Sequence, residues 1–311
     1  MQMKILGSAA GGGFPQWNCA CANCEGMREG TLKARPRSQM QVAFSPIEGI
    51  WFLVGASPDL RTQILATAEL RPSREQQGQS PIAGVFLVSA EVESVLGLLH
   101  LREFQNFFVF ATSAVQRLVK NENRMMKILD RASPPVQWQM LSLRGRIGCH
   151  LSENPGDPPT FFYTSVPTGG CYPDFASEDF RRAAAAEEAS VGLVLEQDGK
   201  KVFIAPSVAG TNSYWAKTAA NSDLVLIDGT FWSDDELIKA GVGEKTAREL
   251  GHLPLSGLGG ILAQYPEEGE GRKILINLHH TNPILDEASE EHRAVLDAGF
   301  EIAHDGMKFE V

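Results

Sequence analysis

The stretch GSAAGGGFPQWNCACANC, Gly7 to Cys24, sets a glycine-rich run directly against three cysteines spaced C-x-C-x2-C. So tight a turn lets three sulfurs converge without long-range folding, and a thiolate triad suits a borderline-soft tetrahedral ion, Zn2+ above all. Three thiols are one ligand short of a closed site. Cys24 is the last thiol nearby, so the fourth ligand must come from far along the chain. The seven histidines, His100, His150, His252, His279, His280, His292 and His304, are the candidates. The rival reading is a single nucleophilic cysteine with a distant histidine, which three clustered thiols disfavour.

Working outward, 311 residues at 43% hydrophobic suffice for a large core, and 21% charged content is ordinary for a folded chain. The net charge of -10 without a Lys/Arg-rich block argues against nucleic acid and against an acidic membrane surface as partners. MQMKILGSAAGGGF lacks the apolar core of a secretory signal, and no run of about 18 apolar residues is present, so no membrane insertion and a cytoplasmic location are expected. Five cysteines in a reducing compartment argue against a disulfide framework. Cys149 and Cys171 read as small side chains, buried or inert. The oligomeric state is not legible.

Short runs rich in Val, Ile, Leu and Phe predict strands over Lys4–Leu6, Gln41–Phe44, Ile50–Leu53, Gly84–Val88 and Phe107–Phe110. In the second half they predict Thr160–Thr164, Val191–Glu196, Lys201–Ile204, Leu224–Ile227, Lys273–Ile276 and Gly306–Glu310. Helical spacing covers Pro58–Leu70, Glu91–Leu101, Ser113–Arg131, Thr211–Ala220, Asp234–Ala240, Lys245–Leu250 and Ser289–Ala298. Glu290 and Glu291 fall in the first turn of the last of these, where acids complement the helix dipole. Two strand-rich halves with interleaved helices predict an α/β chain of two sheets packed face to face with helices outside. Glu153–Pro159 is a candidate seam, and the whole of 1–311 reads as a single domain.

GSAAGGGFPQWNCACANC together with ASPDLR (Ala56–Arg61), GLLHLRE (Gly97–Glu103), DGTFWSDDEL (Asp228–Leu237), GHLP (Gly251–Pro254), TNPILDE (Thr281–Glu287) and DGM (Asp305–Met307) closely resembles the coenzyme PQQ synthesis protein B family. The matches run in order along nearly the whole chain. The resemblance implies the metallo-beta-lactamase αββα sandwich, two mixed sheets with helices outside. The cysteine cluster is similar to that of the phosphoribosyl cyclic phosphodiesterases of the same superfamily, in which a late-strand histidine closes a zinc site. Carried over, the implied metal ligands are Cys19, Cys21, Cys24 and His280, a closed and therefore structural Zn2+ site.

The family's second, catalytic metal site is implied at positions where this sequence differs. Ser89 and Ser94 stand at ligand positions in Val88–Val95, Asn277 stands at the active-site histidine, and Ala205-Pro206-Ser207 replaces a bridging aspartate. Glu91, Glu93, His252 and His279 are the remaining candidates for a catalytic ion such as Fe2+. The plainer reading makes Glu91 and Glu93 acids at a helix N-terminus. Asp59, Arg61 and Arg102 are candidate contacts to an acidic ligand, since arginine forks suit carboxylates. The resemblance implies a part in making pyrroloquinoline quinone (PQQ), by an oxidative tyrosine hydroxylation at an altered site. The alternative is a carrier that binds PQQ or its precursor without catalysis. Phosphodiester hydrolysis ranks third, because it requires a binuclear site. Gly11–Gly13 lacks the pattern of a phosphate loop and serves close backbone passage instead.

Overall fold

The computed structural model describes all residues except 75–79, 104–105, 153, 155, 211–212 and 267–268. Among the described residues, fourteen strands form two mixed seven-stranded sheets. They are β1 (Gln2–Gly7), β2 (Gln41–Ile47), β3 (Ile50–Val54), β4 (Ile82–Phe86), β5 (Phe108–Ala111), β6 (Gln137–Met140), β7 (Ile147–Cys149), β8 (Phe161–Pro167), β9 (Val191–Gln197), β10 (Lys200–Ala205), β11 (Leu224–Asp228), β12 (Arg272–Ile276), β13 (Glu301–Ile302) and β14 (Lys308–Glu310). The first sheet runs β14-β1-β2-β3-β4-β5-β6 and the second β13-β12-β11-β10-β9-β8-β7. In each, an antiparallel segment passes into a parallel one, at β3–β4 and at β9–β10–β11.

Alternation along the strands explains the layering. Val42, Phe44, Phe52, Val54, Phe86 and Phe110 point to a core shared with Phe161, Tyr163, Leu193, Ile204, Leu226 and Ile274 of the other sheet. Their neighbours Ala43, Leu53, Val85 and Val109 point outward, where Leu60, Val95, Leu98, Val115 and Leu118 of the flanking helices cover them. The second sheet is covered likewise by Trp215, Ile261 and Val295 over Phe203, Val225 and Leu275. The result is the αββα sandwich.

The chain changes sheets between Met140 and Ile147, and returns with β14 to pair with β1. The seam therefore precedes Glu153–Pro159, a stretch that joins β7 to β8 within one sheet; its Glu153 lies outside the described residues. Several expected helices are shorter. Glu91–Leu101 divides into Val92–Val95 and Leu98–Leu101, because Gly97 is packed so close that a Cβ there would lie 2.3 Å from the Ser57 carbonyl oxygen. Ser113–Arg131 divides into Ser113–Arg117, a wide turn at Leu118–Glu122 and a tight one at Arg124–Arg131, the last capped by Asn123. Lys245–Leu250 keeps only the turn Arg248–Leu250. Thr211, the expected start of another helix, lies outside the described residues, and Ser213–Ala220 is helical. Among the described residues no helix is long and apolar enough to cross a membrane.

Phe86 anchors the shared core, fully buried and stacked on Phe110 at 4.2 Å between ring centroids. Phe86→Ala is expected to destabilise the fold by about 3–5 kcal/mol, read as a lower urea midpoint with an unchanged slope. A loss within experimental error would mean that the sheets do not depend on this aromatic contact.

Candidate functional site

The three thiols gather where the loop after β1 meets the segment after β12. Cys21 ends the loop and precedes the helix Ala22–Glu29, on which Cys24 lies one turn later. Ala10 N–H donates to the Leu278 carbonyl and Leu278 N–H to that of Ser8, holding the glycine run beside the late segment. Asn23 Nδ2 then donates to the carbonyls of His280 and Asn282 at 3.1 and 2.9 Å. These bonds bring Cys19, Cys21, Cys24 and His280 together with ligand atoms within 4.8 Å of one another, a grouping not repeated among the described residues.

The donor set fits a tetrahedral zinc-type ion. His280 is buried with neither ring nitrogen hydrogen-bonded, an orphaned state that native interiors avoid. Burial pushes its imidazole down to about 4, favouring the neutral form that ligates metal. Burial, together with the neighbouring Cys21 and Cys19, pushes the Cys24 thiol up to about 12, and burial also raises Cys21. Three such thiols ionise together only against a cation. Backbone N–H groups of Gln16 and Cys21 already point at the sulfurs of Cys24 and Cys19, both at 3.3 Å.

His279, the adjacent residue, belongs to a different group. It lines a cavity of about 500 Å³ outside the carboxyl ends of β4, β10, β11 and β12, together with Glu91, Glu93, Asp174, Phe231 and His252. The floor is closed by the bridge between Ser89 and Ser190, which joins the two sheets. The positions expected to carry metal ligands are tied into the protein. Ser89 Oγ donates to Ser94 Oγ at 3.1 Å, and Asn277 Nδ2 donates to the Pro206 carbonyl and to Thr230 Oγ1, each at 3.0 Å. Asn277 adopts φ +61°, a region that asparagine tolerates better than most residues.

Two histidines are fixed from behind. Asp228, fully buried at the end of β11, accepts from Val208 N–H, Thr230 N–H, Thr230 Oγ1 and His252 Nδ1 at 2.9, 3.0, 2.6 and 2.7 Å. On the other wall His279 Nδ1 lies 2.7 Å from Thr281 Oγ1, which donates to Glu236. Burial pushes His279 down to about 3, with His280 and His252 adding to the effect. Burial also pushes Glu236 up to about 7 against the hydrogen bonds it accepts. Glu91 is open to the cavity yet crowded by protein; burial, Glu93 and Asp174 push it up to about 7. Glu93 lies against the glycine run, so that a Cβ on Gly11 would come within 2.5 Å of its carboxylate.

Glu91, Glu93, His252 and His279 thus share one cavity, but no three of them bring ligand atoms within 4.8 Å of one another. Asp59, Arg61 and Arg102 do not line the cavity. Asp59 accepts from Gln39 N–H and Nε2, buttressing the side chain that holds Gly12, and Arg102 pairs with Glu103.

A family model described as "Beta-lactamase superfamily domain" matches residues 50–279. Coenzyme PQQ synthesis protein B of Azotobacter vinelandii is 36% identical over 313 residues, covering 100% of both chains. That of Methylobacterium sp. strain 4-46 is 38% identical over 99% of each. The chain belongs to the coenzyme PQQ synthesis protein B family. A solved structure of Zn2+-bound PqqB from Methylobacterium extorquens superposes with a TM-score of 0.88 at 35% identity over the full length of both chains. A diphosphatase of the PhnP family, at 18% identity and a TM-score of 0.64, shares the fold.

Within this PQQ synthesis protein B fold, Asp228, Thr230, Glu236 and Thr281 are site residues that sequence reasoning missed. The signal for Asp228 was present: an aspartate directly after the apolar run Leu224–Ile227 lies at a strand's carboxyl end, where such sheets place their sites. Cys171, read as buried or inert, is exposed and lines the cavity, two residues after Gly169 with its φ of +84°.

The raised Glu91 carboxyl carries a signed pH dependence. The folded chain holds this proton up to about 7, well above the ordinary carboxylate value. Its stabilising contribution is therefore complete below the unfolded-state value and lost as pH rises through about 7. Glu91→Gln is expected to gain stability relative to wild type above that point and to match it in acid, read from urea curves at the two pH values. A difference independent of pH would contradict the assignment.

Proposed function

We propose that this chain serves PQQ biosynthesis as a zinc-stapled protein that binds the quinone or its precursor in the cavity between the sheets, without metal-dependent oxidation. Membership of the family supports the pathway. The observation that carries the rest is the closure of positions 89, 94 and 277 by their own hydrogen bonds, beside an intact cavity of about 500 Å³. A catalytic ion needs open positions and convergent ligands. The cavity supplies oriented histidines and carboxylates without that convergence.

In this reading Cys19, Cys21, Cys24 and His280 hold Zn2+, and the ion contributes stability by tying the first loop to the last strands. Reduced thiols and the zinc they ligate suit the cytoplasm. Hydrolysis of a phosphodiester ranks below binding, because neither the bridging carboxylate nor the binuclear ligand set is in place.

Elemental analysis of the protein after anaerobic exposure to Fe2+, followed by oxygen and a tyrosine-containing precursor, tests the proposal. One zinc per chain, lost in His280→Ala, with precursor or quinone bound and no hydroxylated product, is the expected result. Bound iron with turnover would replace the binding function with an oxidative one.

A further inference from the structure

The chain carries a net charge of -10, yet residues 117–150 hold seven basic side chains against two acidic ones, Glu122 and Asp130. Arg144 and Arg146 are paired with Glu187 and Glu196, at 2.7 and 3.3 Å. Arg117 lies over the Phe180 ring. Among the described residues, it and Lys120, Arg124, Lys127 and Arg131 enter no ion pair. A local field of the opposite sign to the whole molecule attracts an acidic partner.

The fold gives this charge a defined frame. Arg124–Arg131 is a 3-10 helix, so residues three apart share a row. Met126 and Leu129 form the buried row, packed in the cluster that takes in Val136 and Trp138. The other two rows face solvent, Met125, Ile128 and Arg131 in one and Arg124, Lys127 and Asp130 in the next. Lys120 Nζ lies 5.7 Å from the centroid of the Trp138 ring, which joins the basic segment to β6. β6 is the last strand of its sheet. Gln137 N–H donates to the Phe107 carbonyl at 3.2 Å and Leu141 N–H to the Ala111 carbonyl at 2.8 Å, so the backbone groups of Trp138 and Met140 point away from β5. Among the described residues neither of those N–H groups finds a partner. A charge or a proline within the strand usually blocks such an edge, and Gln-Trp-Gln-Met has neither. At the opposite end of the same sheet β14 carries Lys308 and Glu310.

We propose that this face, the open edge of β6 together with the solvent rows of Arg124–Arg131, docks an extended acidic peptide segment of a partner protein. The segment adds a strand beside β6 and pairs with the backbone of Trp138 and Met140. Its carboxylates complement Lys120, Arg124, Lys127 and Arg131, and its apolar side chains complement the exposed Met125, Ile128 and Met140. The open edge selects a polypeptide, because neither a membrane nor a nucleic acid presents backbone donors and acceptors at strand spacing. A second copy joined edge to edge would bring the same cations toward their own images, which like charge disfavours. None of these residues lines the cavity, so the face is separate from the ligand site and the inference goes beyond the binding function.

The probe is a fluorescent peptide about eight residues long, within the span of a strand, that alternates glutamate and valine. Its controls carry lysine in place of glutamate, or a central proline. Titrated into zinc-loaded full-length protein, the acidic peptide is expected to bind, to weaken as salt rises, and to slow hydrogen exchange at the Trp138 and Met140 amides. Arg124→Glu combined with Lys127→Glu is expected to weaken binding at least about tenfold with an unchanged urea midpoint. Met140→Pro removes an outward N–H and no ladder bond, and is expected to weaken binding as much. If Met140→Pro fails to fold, the exchange pattern of the wild type decides whether the edge is used. No binding, or equal binding of the lysine or proline peptide, overturns the inference. Binding of phosphatidylcholine–phosphatidylserine vesicles in place of the peptide overturns it in favour of a membrane contact. Self-association of the protein alone, lost in Met140→Pro, overturns it in favour of a second copy.

Discussion

The structure depends on four side chains meeting across 259 residues of chain: Cys21 and its neighbouring thiols at one end, His280 at the other. Without a cation the arrangement is electrostatically awkward, with the Cys24 thiol pushed up to about 12 by burial and an imidazole buried without a partner. With one, it becomes a cross-link that closes nearly the whole chain. Long loops gain most from such closure, because the unfolded chain loses the entropy of keeping its ends apart.

The same meeting of first loop and late segment organises the cavity. The glycine run leading to the cysteines lies against Glu93, and His280 adjoins His279, their rings 4.0 Å apart. One wall of the cavity therefore follows from the position of the loop and another from the late strand. Between them Ser89, Ser94 and Asn277 satisfy one another or the backbone. The three side chains are mutually compatible, since polar groups left unpaired there would be costly. Asn277 joins the chain of hydrogen bonds that ends at His252, so the altered site is a connected network.

Much of this was legible in the sequence. The buried strands announce themselves as apolar runs because both faces are covered; the C-x-C-x2-C spacing anticipates the three thiols, and the family resemblance, not the spacing, supplied His280 of the grouping that the fold assembles. What was missed has identifiable causes. β6 reads Gln-Trp-Gln-Met with three of its four residues exposed at a sheet edge, and β7 and β13 span three and two residues, too short for a periodic signal. The helix expected over Glu91–Leu101 breaks where Gly97 meets the backbone of Ala56 and Ser57, a tertiary contact that no local pattern encodes. Arg61 and Arg102 suited a carboxylate ligand by residue type alone, but the helix Leu60–Ala66 and the end of the helix Leu98–Leu101 place them outside the cavity lining. The partners of Asp228 come from three separate segments, around 208, 230 and 252, and only the folded chain unites them.

The central claim is that the metal belongs to the cross-link and the cavity works without one. X-ray absorption at the zinc edge, on protein loaded with a single equivalent of zinc, addresses this directly. The account predicts a shell of three sulfurs at about 2.3 Å and one nitrogen at about 2.0 Å. A shell dominated by nitrogen and oxygen would place the ion among Glu91, Glu93, His252 and His279, and would contradict it.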